Sequence, residues 1–554
     1  MNDASLASST EGGNCPRRVI GKALNGQHAN RCNIGETNIM NSIELKLFSS
    51  RVSAICDEMG VVLRRTAFSP NIKDRLDYSC ALFGVDGQLF AQAAHIPVHL
   101  GSMAFAMNSI VSDRDWQPGD MLVLNDPFLG GTHLPDVTLI AAVFAEQDQH
   151  LIGFVANRAH HANIGCDTPG SMPISSRLEQ EGIIIPPTLL IRAGVLQPIA
   201  QRLPGMGEGV LSGDFAAQAG ANLLGVERLQ QLVQRLGLRN YRQGMIELND
   251  YADRICANTI AELRRGEYSF EDYLDDDGCG STAIKLVLTL RIKADEVEFD
   301  FSKCAQQVAG NLNCPESVAA AAAYYCMRCL MPDDPPACAG LFRRIHLKTI
   351  AGSIVNAKRP AAVAAGNVET STRLVDLVFG ALAQVLPEKI PAASQGTMNN
   401  VAMGYIDKGS GSRWDYYETL AGGLGGSPEH KGLDAVHSHM TNTLNTPVES
   451  FEMHYPVRVL KYALRHASGG DGLHRGGDGL VREYEFLQEA QLSLLSERRV
   501  FAPWGLNGGG AGAKGQNSLN GEPLPGKCTL LVKPGDRLKI ETPGGGGWGE
   551  PVQK

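Results

Sequence analysis

The segments "NDPFLGGTHLPDVTLIAAVFAE", residues 125–146, and "HLIGFVANRAHHANIG", residues 150–165, decide the fold around them. Each contains a run of apolar residues long enough for one buried strand, and a short polar gap separates the two runs. Two glycines precede His133, and Pro135 excludes a regular helix between His133 and Asp136. The pattern therefore predicts two successive strands, with His133 and Asp136 in a glycine-rich loop at the start of the first.

The adjacent histidines His160 and His161 lie at the end of the second predicted strand. Because side chains alternate along a strand, only one of the two can point the same way as His133 and Asp136. Two histidines and one carboxylate with an open position are a recurrent way to hold catalytic Zn, Mn or Fe. We predict a divalent metal site made by His133, Asp136 and one of the pair; the alternative is that these histidines are ordinary core or turn residues.

The rest of the chain alternates between helical and strand patterns, so we predict a mixed α+β fold with several lobes, mixed sheets and Gly-rich loops. Residues 40–66 and 215–265 have helical periodicity, and "VDGQ" at 85–88 predicts a hairpin turn. Strands return after Gly266, followed by the Ala-rich helical run 316–331. We predict a disordered extension at 1–39, an N-terminal lobe at 40–265 that carries the metal site, and a C-terminal lobe at 266–554.

Glycine becomes dense after about residue 397, in stretches such as "AGGLGGSPEHKG", "HASGGDGLHRGGDGL", "LNGGGAGAKG" and "TPGGGGWGEP". The stretches have no fixed period, which argues against collagen and repeat folds. Glycine clusters mark places where the backbone turns sharply or closely approaches a ligand or another backbone, so we predict that several converge on one site or interface. The phosphate-binding pattern GxxxxGK[ST] is absent, so the sequence predicts no ATP site in this chain.

The composition of the 554 residues limits the possible partners and location. With 43% hydrophobic and 20% charged residues the chain has ordinary globular usage, and its net charge of -9 argues against nucleic acid or an anionic membrane as partner. The sequence contains neither a signal peptide nor an apolar run long enough to span a bilayer. Its 13 cysteines are irregularly spaced. These features predict a cytoplasmic protein that binds a small molecule or another protein.

Other polar clusters could contribute to a site. His95 and His99 are four residues apart. His437 and His439 are predicted to share a strand face and, with Asn442, to line a polar pocket for an amide or a carboxylate. The acidic run of residues 275–277 is predicted to be a solvated turn.

The motifs "DRLDYSCALFGVDGQLFAQAAHIPVHLGSM", "GDMLVLNDPFLGGTHLPDVTLIAAVF", "FVANRAHHANIGCDTPGSMP" and "HMTNTLNTPVESFEMHYPVRVLKYALRHASGGDGLHRGGDGL" resemble the hydantoinase B family. That family includes the carboxy-terminal half of 5-oxoprolinase and the large subunits of acetone and acetophenone carboxylases. The resemblance runs from about Met40 to Pro551 and implies one family domain. It places a metal site at His133, Asp136 and, as first choice, His160, with Mn or Zn as the ion.

The resemblance also implies a subunit of a hetero-oligomer, in which a hydantoinase A-type partner binds ATP and phosphorylates a cyclic amide. The B-type subunit then opens the activated lactam or hydantoin ring, with His161 or His99 as general base. We place His95, His437, His439 and Asn442 at the substrate. The alternatives are a subunit of an ATP-dependent ketone carboxylase that uses the same metal site, and a non-catalytic structural subunit. The stretch "KGLDAVHS" lacks the family's expected second "DGxSG" segment, which leaves the substrate open.

Overall fold

The predicted strand pair forms the middle of a seven-stranded antiparallel sheet in the computed structural model, with strand order β2-β1-β5-β4-β3-β6-β7. The structure describes residues 40–93, 95–112, 114–146, 149–204, 211, 213–332, 334–406 and 413–551. The extension predicted to be disordered, 1–39, lies outside these ranges. The strands of this sheet are β1 (Tyr78–Phe83), β2 (Leu89–Gln92), β3 (Met121–Leu124), β4 (Asp136–Phe144), β5 (Leu151–His160), β6 (Thr188–Arg192) and β7 (Val195–Leu196).

Three further sheets follow along the chain, and all but one of their strand pairs are antiparallel. The exception is the parallel pair β10–β11. The sheet with order β11-β10-β9-β8 contains β8 (Gly266–Asp276), β9 (Thr282–Ile292), β10 (Val297–Asp300) and β11 (Ile345–Lys348). The sheet with order β13-β12-β16-β19 contains β12 (Asn400–Ile406), β13 (Arg413–Glu418), β16 (Ala490–Leu495) and β19 (Lys527–Val532). The sheet with order β14-β15-β20-β17-β18 contains β14 (Val457–Arg465), β15 (Gly479–Phe486), β17 (Gln516–Leu519), β18 (Glu522–Leu524) and β20 (Arg537–Glu541).

Helices cover both faces of the seven-stranded sheet, which explains why its central strands are apolar on both sides. The first helix is capped by Asn41, whose side chain accepts the N–H of Glu44 while the Glu44 carboxylate accepts the N–H of Asn41. The helices are α1 (Ser42–Thr66), α2 (Pro70–Lys73), α3 (Pro97–Val111), α4 (Gly213–Leu236), α5 (Leu238–Ala261), α6 (Glu316–Cys329), α7 (Ser371–Leu382) and α8 (Val448–His454). Short 3-10 turns lie at Pro127–Leu129, Pro169–Ser171, Leu178–Gln180, Pro198–Arg202 and Ala339–Phe342, and a π-helical turn at Gly366–Thr370 precedes α7.

The Gly-rich stretches pack against one another. Gly545 donates its N–H to the carbonyl of Gly477 at 3.0 Å, and Gly470 donates to the carbonyl of Gly545 at 2.8 Å. A β-carbon on Gly477 would lie 1.9 Å from the carbonyl oxygen of Leu433. Glycine is needed here because another backbone occupies the space of a side chain.

The mixed α+β architecture and the principal predicted elements are confirmed. All the described elements belong to one compact unit, in which α5 ends at Ala261 and β8 begins at Gly266. The division into lobes at residue 265 stays a prediction. Among the described residues, none of the helices is both long and apolar enough to cross a membrane.

The prediction of a solvated turn for the acidic run was wrong, because Asp275 and Asp277 are buried. Asp275 accepts the backbone N–H groups of residues 499–501. Asp277 accepts those of Cys279, Ser281 and Gly310. Both carboxylates hold loops together, and neither is available to solvent.

Candidate metal centre

Strand pairing brings the predicted metal ligands together. Strands β4 and β5 are antiparallel neighbours, and their register places Asp136 directly opposite His160. His133 lies three residues before Asp136, in the turn that leads into β4, and the Asp136 N–H donates to the His133 carbonyl at 3.1 Å. One ligand atom from each of His133, Asp136 and His160 lies within 4.8 Å of the other two, and all three residues are buried.

The Asp136 carboxylate is surrounded by donors on both oxygens. Its Oδ1 lies 3.0 Å from His133 Nε2 and 3.2 Å from His160 Nδ1. Its Oδ2 accepts hydrogen bonds from Thr132 Oγ1 at 2.7 Å and Asn367 Nδ2 at 3.1 Å. His99, on α3, places its Nε2 3.1 Å from the same Oδ2. This carboxylate therefore fixes the relative positions of three imidazole rings.

The electrostatics of the group favour an ionised Asp136. Burial alone would raise the pKa of its carboxyl, but His133 and His99 outweigh burial and hold that pKa well below its usual range. Burial opposes a charge on His133, yet its pKa is raised because Asp136 and the Ala364 carbonyl stabilise the imidazolium. His160 has a lowered pKa, mainly through burial. The buried Asp136 carboxylate thus supplies a negative charge that either a proton on His133 or a metal cation can balance.

The residues present fit a divalent metal ion. His160 Nε2 is buried without a hydrogen-bond partner, and His133 Nε2 has Asp136 Oδ1 at 3.0 Å but forms no well-aligned hydrogen bond, so both nitrogens are open to a metal ion. The other nitrogen of His133 contacts the Ala364 carbonyl at 3.0 Å, as is usual for a metal-binding histidine. Metal–ligand bonds of about 2.0–2.2 Å place ligand atoms up to about 4 Å apart, so small side-chain movements would suffice for one shared ion.

His160 and His161 contact different elements, as the alternation predicted. His160 stacks on Tyr417, with ring centroids 4.9 Å apart. His161 instead donates from Nε2 to Gln218 Oε1 on α4 at 2.8 Å and packs against Phe215. Burial lowers the pKa of His161. The structure thus groups His160 with His133 and Asp136, and it does not bring His161 to that group.

The four residues predicted at the substrate do not share one set of contacts. Asn442 Nδ2 donates to the backbone carbonyl of His95 at 3.2 Å, so these two are neighbours. His437 Nε2 lies 3.3 Å from Asn445 Oδ1. His439 instead approaches Asp376, with Nε2 3.7 Å from Oδ1. The prediction that His437 and His439 share a strand face was wrong, because both lie in an irregular segment and His439 has a positive φ of 56°.

Acidification is expected to lower the thermal midpoint of unfolding, and we expect His437 to contribute to that loss. Burial, followed by the nearby Arg75, lowers the pKa of His437 to about 4. The unfolded chain takes up this proton below about pH 6.5, so acidification from there to about pH 4 favours unfolding. Between about pH 7.5 and pH 5, the free energy of unfolding of His437→Gln should therefore fall by about 2 kcal/mol less than that of the wild type. Scanning calorimetry across that range checks this.

A histidine on the exposed surface provides the matched control for that experiment. His430→Gln makes the same chemical change on an exposed side chain. A pH dependence of His437→Gln equal to that of the wild type would contradict the role assigned to His437.

Several contacts of the group were missed by the sequence analysis. Thr132 stands beside His133 in "GGTHLPD", so its hydroxyl could have been anticipated. Asn367 and Tyr417 lie far away in the sequence and carry no local signal that connects them with His160 or Asp136. They join the site only through the tertiary fold.

Together, fold and site define a large α+β protein with a buried candidate metal centre of two histidines and one carboxylate. The chain belongs to the hydantoinase B/oxoprolinase family, whose model matches residues 41–551. It is 39% identical to 5-oxoprolinase 1 of Arabidopsis thaliana over 93% of this chain, but it spans only 42% of that relative's length. It is 28% identical to a Pseudomonas sp. protein named as the B-type subunit of a D-/L-hydantoinase, over 92% of this chain and 90% of that one.

Two solved structures share the fold. The ATP-dependent caprolactamase from Pseudomonas jessenii matches with a TM-score of 0.84 and 26% identity, over 93% of both chains. Acetone carboxylase in its nucleotide-free form matches with a TM-score of 0.80 over 92% of this chain and 76% of that one. At 16% identity the second likeness concerns the fold alone. The family resemblance inferred from the motifs is confirmed.

Proposed function

We propose that this chain is the B-type subunit of an ATP-dependent, cytoplasmic hydrolase that opens a lactam or hydantoin ring. An A-type partner would bind ATP and activate the substrate by phosphorylation. The observation that carries the proposal is the buried His133, Asp136 and His160 group, in a chain related over most of its length to a hydantoinase component and a caprolactamase. Because the chain spans only 42% of a 5-oxoprolinase, the partner's role fits the remaining part of that longer protein.

His133, Asp136 and His160 would hold a divalent ion, Mn or Zn. When bound, such an ion supplies Lewis-acid activation of a water or a carbonyl oxygen. His99 is the better placed of the two predicted general bases, because its Nε2 lies 3.1 Å from Asp136 Oδ2 and 3.9 Å from Asp77 Oδ1. Because His99 Nε2 faces the ionised Asp136, a proton released by the attacking water would be taken up at His99 Nδ1, which lies 3.4 Å from Ser79 Oγ. Thr132 and Asn367 keep Asp136 oriented during this transfer.

The proposed base is tested by two histidine variants of the complex with its A-type partner. His99→Gln is expected to lower kcat by about 10²–10⁴-fold, the usual contribution of a general base. His161→Gln should leave kcat within about tenfold, because its ring contacts Gln218 and lies away from Asp136. The assay follows ATP-dependent ring opening across lactams and hydantoins by liquid chromatography. Equal loss in both variants would contradict the assignment of His99, and turnover of no cyclic amide would contradict the proposed reaction.

Carboxylation of a phosphorylated enol is the second candidate, because the same buried group of His133, Asp136 and His160 could serve it. Labelled bicarbonate distinguishes the two reactions. Stable label in a carboxylate product formed from a ketone supports carboxylation, whereas an unlabelled linear amide acid formed from a cyclic amide supports hydrolysis. A third candidate, a non-catalytic structural subunit, predicts that the His133→Ala protein loses its fold together with the metal.

A further inference from the structure

The backbone carbonyl that holds His133 belongs to residue Ala364, 231 positions away in the sequence. The His133 Nδ1–H donates to this carbonyl at 3.0 Å. A hydrogen on Nδ1 leaves Nε2 with a free lone pair in the neutral ring, which is the form that binds a metal. The position of one peptide carbonyl therefore sets both the tautomer of His133 and the direction of its ligand atom.

Glu181 anchors the segment that carries this carbonyl. Its Oε1 accepts the N–H groups of Val363 and Ala364, each at 2.9 Å, and the hydroxyl of Ser175 at 2.7 Å. The side chain is fully buried, and burial raises its pKa to about 7. All three hydrogen bonds end on one oxygen acceptor, so the neutral acid and the carboxylate can both accept them.

The same segment also contacts Asp136. Asn367 donates from Nδ2 to Asp136 Oδ2 at 3.1 Å and stands in the π-helical turn Gly366–Thr370. Such turns are rare and often occur at functional sites. Between the two contacts, Ala365 and Gly366 donate their N–H groups to the Asn311 carbonyl. Residues 363–367 thus contact two of the three side chains of the candidate metal centre.

We propose that Glu181 is a positioning residue of the metal centre, which acts on His133 through the backbone of Ala364. The inference rests on the proposed function, because it requires the His133, Asp136 and His160 group to bind a metal. Partners of this kind behind a metal-binding histidine typically change metal affinity by about 10–100-fold when they are removed. The position of the Glu181 acceptor oxygen holds the Ala364 carbonyl in place, and this does not depend on the charge of the carboxyl group.

Two substitutions of Glu181 separate position from charge. Glu181→Asp keeps the charge but withdraws the carboxylate from the two N–H groups, and it is expected to weaken Mn²⁺ or Zn²⁺ binding by about 10–100-fold. Glu181→Gln keeps the side-chain length and one acceptor oxygen, and it should bind within about threefold of the wild type. The dissociation constants of the purified full chain are measured by competition with a chromophoric chelator. The absorption spectrum of the Co²⁺-loaded protein reports the ligand geometry independently of activity.

Two further variants serve as a matched control and as a milder change at the Glu181 contact. Glu247→Gln makes the same change at a half-buried carboxylate of α5 that accepts the Met40 N–H, and it should leave the metal affinity unchanged. Ser175→Ala removes one of the three hydrogen bonds to Glu181 and is the milder variant if Glu181→Asp does not fold; we expect about threefold weaker binding. Wild-type affinity in both Glu181→Asp and Ser175→Ala would overturn the proposal. So would a Glu181→Gln variant as weak as Glu181→Asp, since that result indicates charge. A wild type that binds no metal would instead contradict the proposed function itself.

Discussion

The divalent metal content of the purified protein is expected to be about one ion per chain in the wild type and close to none when His133 is replaced with alanine. The substitution deletes the imidazole whose Nε2 lies 3.0 Å from Asp136 Oδ1. It leaves Asp136 and His160 as ligands, too few to hold a catalytic ion firmly. The loss of affinity should exceed the roughly 10–100-fold caused by removing a hydrogen-bonding partner of a ligand. Mass spectrometry of the purified wild type and variant measures the amount of metal that each retains per chain.

The histidine that follows β5 provides the control for this experiment. His161→Ala removes an equally buried imidazole, but one whose ring contacts Gln218 and Phe215. It should therefore retain the metal. A folded His133→Ala protein without metal and without turnover would support catalysis, whereas loss of the fold together with the metal would support a structural role. If neither wild type nor variant contains metal after exposure to Mn²⁺ and Zn²⁺, these histidines are core residues and the proposed chemistry fails.

The clustering of His133, Asp136 and His160 could be predicted because its signals are local. The spacing in "GGTHLPD" places His133 and Asp136 in one turn, and strand alternation separates His160 from His161. The apolar runs on either side of residue 150 become β4 and β5, whose pairing closes the group. Each of these inferences depends on residues within about 30 positions of one another along the chain, where the geometry of strands and turns leaves few choices.

The contacts that complete the site depend on the tertiary fold and could not be predicted in this way. Asn367 and the Ala364 carbonyl reach Asp136 and His133 across 231 positions. His437 and His439 were assigned to one face because their spacing of two suits a strand, yet the positive φ of His439 turns the chain and sends the two rings to different partners. Asp275 is buried because residues 499–501 supply its hydrogen bonds. Long-range pairing of this kind leaves no periodic signal.

Gly477→Ala is expected to destabilise the protein by about 3 kcal/mol or more, at the upper end of the cost of overpacking. A β-carbon there would meet the carbonyl oxygen of Leu433 at 1.9 Å and its carbon at 2.5 Å. Both are backbone atoms, so no side chain can rotate away. Gly477 also donates to the Leu424 carbonyl at 2.8 Å and accepts from Gly545, so any shift would disturb two further segments. The thermal midpoint by scanning calorimetry measures the effect.

A glycine outside the Gly-rich stretches gives the matched comparison. Gly220 lies in α4 with no atom within 4 Å of the position of a β-carbon. Gly220→Ala should therefore stabilise the helix by roughly 0.5–1 kcal/mol, the opposite sign from Gly477→Ala. An unchanged midpoint in Gly477→Ala would show that the glycine stretches are not closely packed. Gly477 packs against other glycine stretches, so we expect Gly477→Ala to lose metal only to the extent that the protein unfolds. His133→Ala should instead lose the metal, and its thermal midpoint under metal-free conditions should change far less.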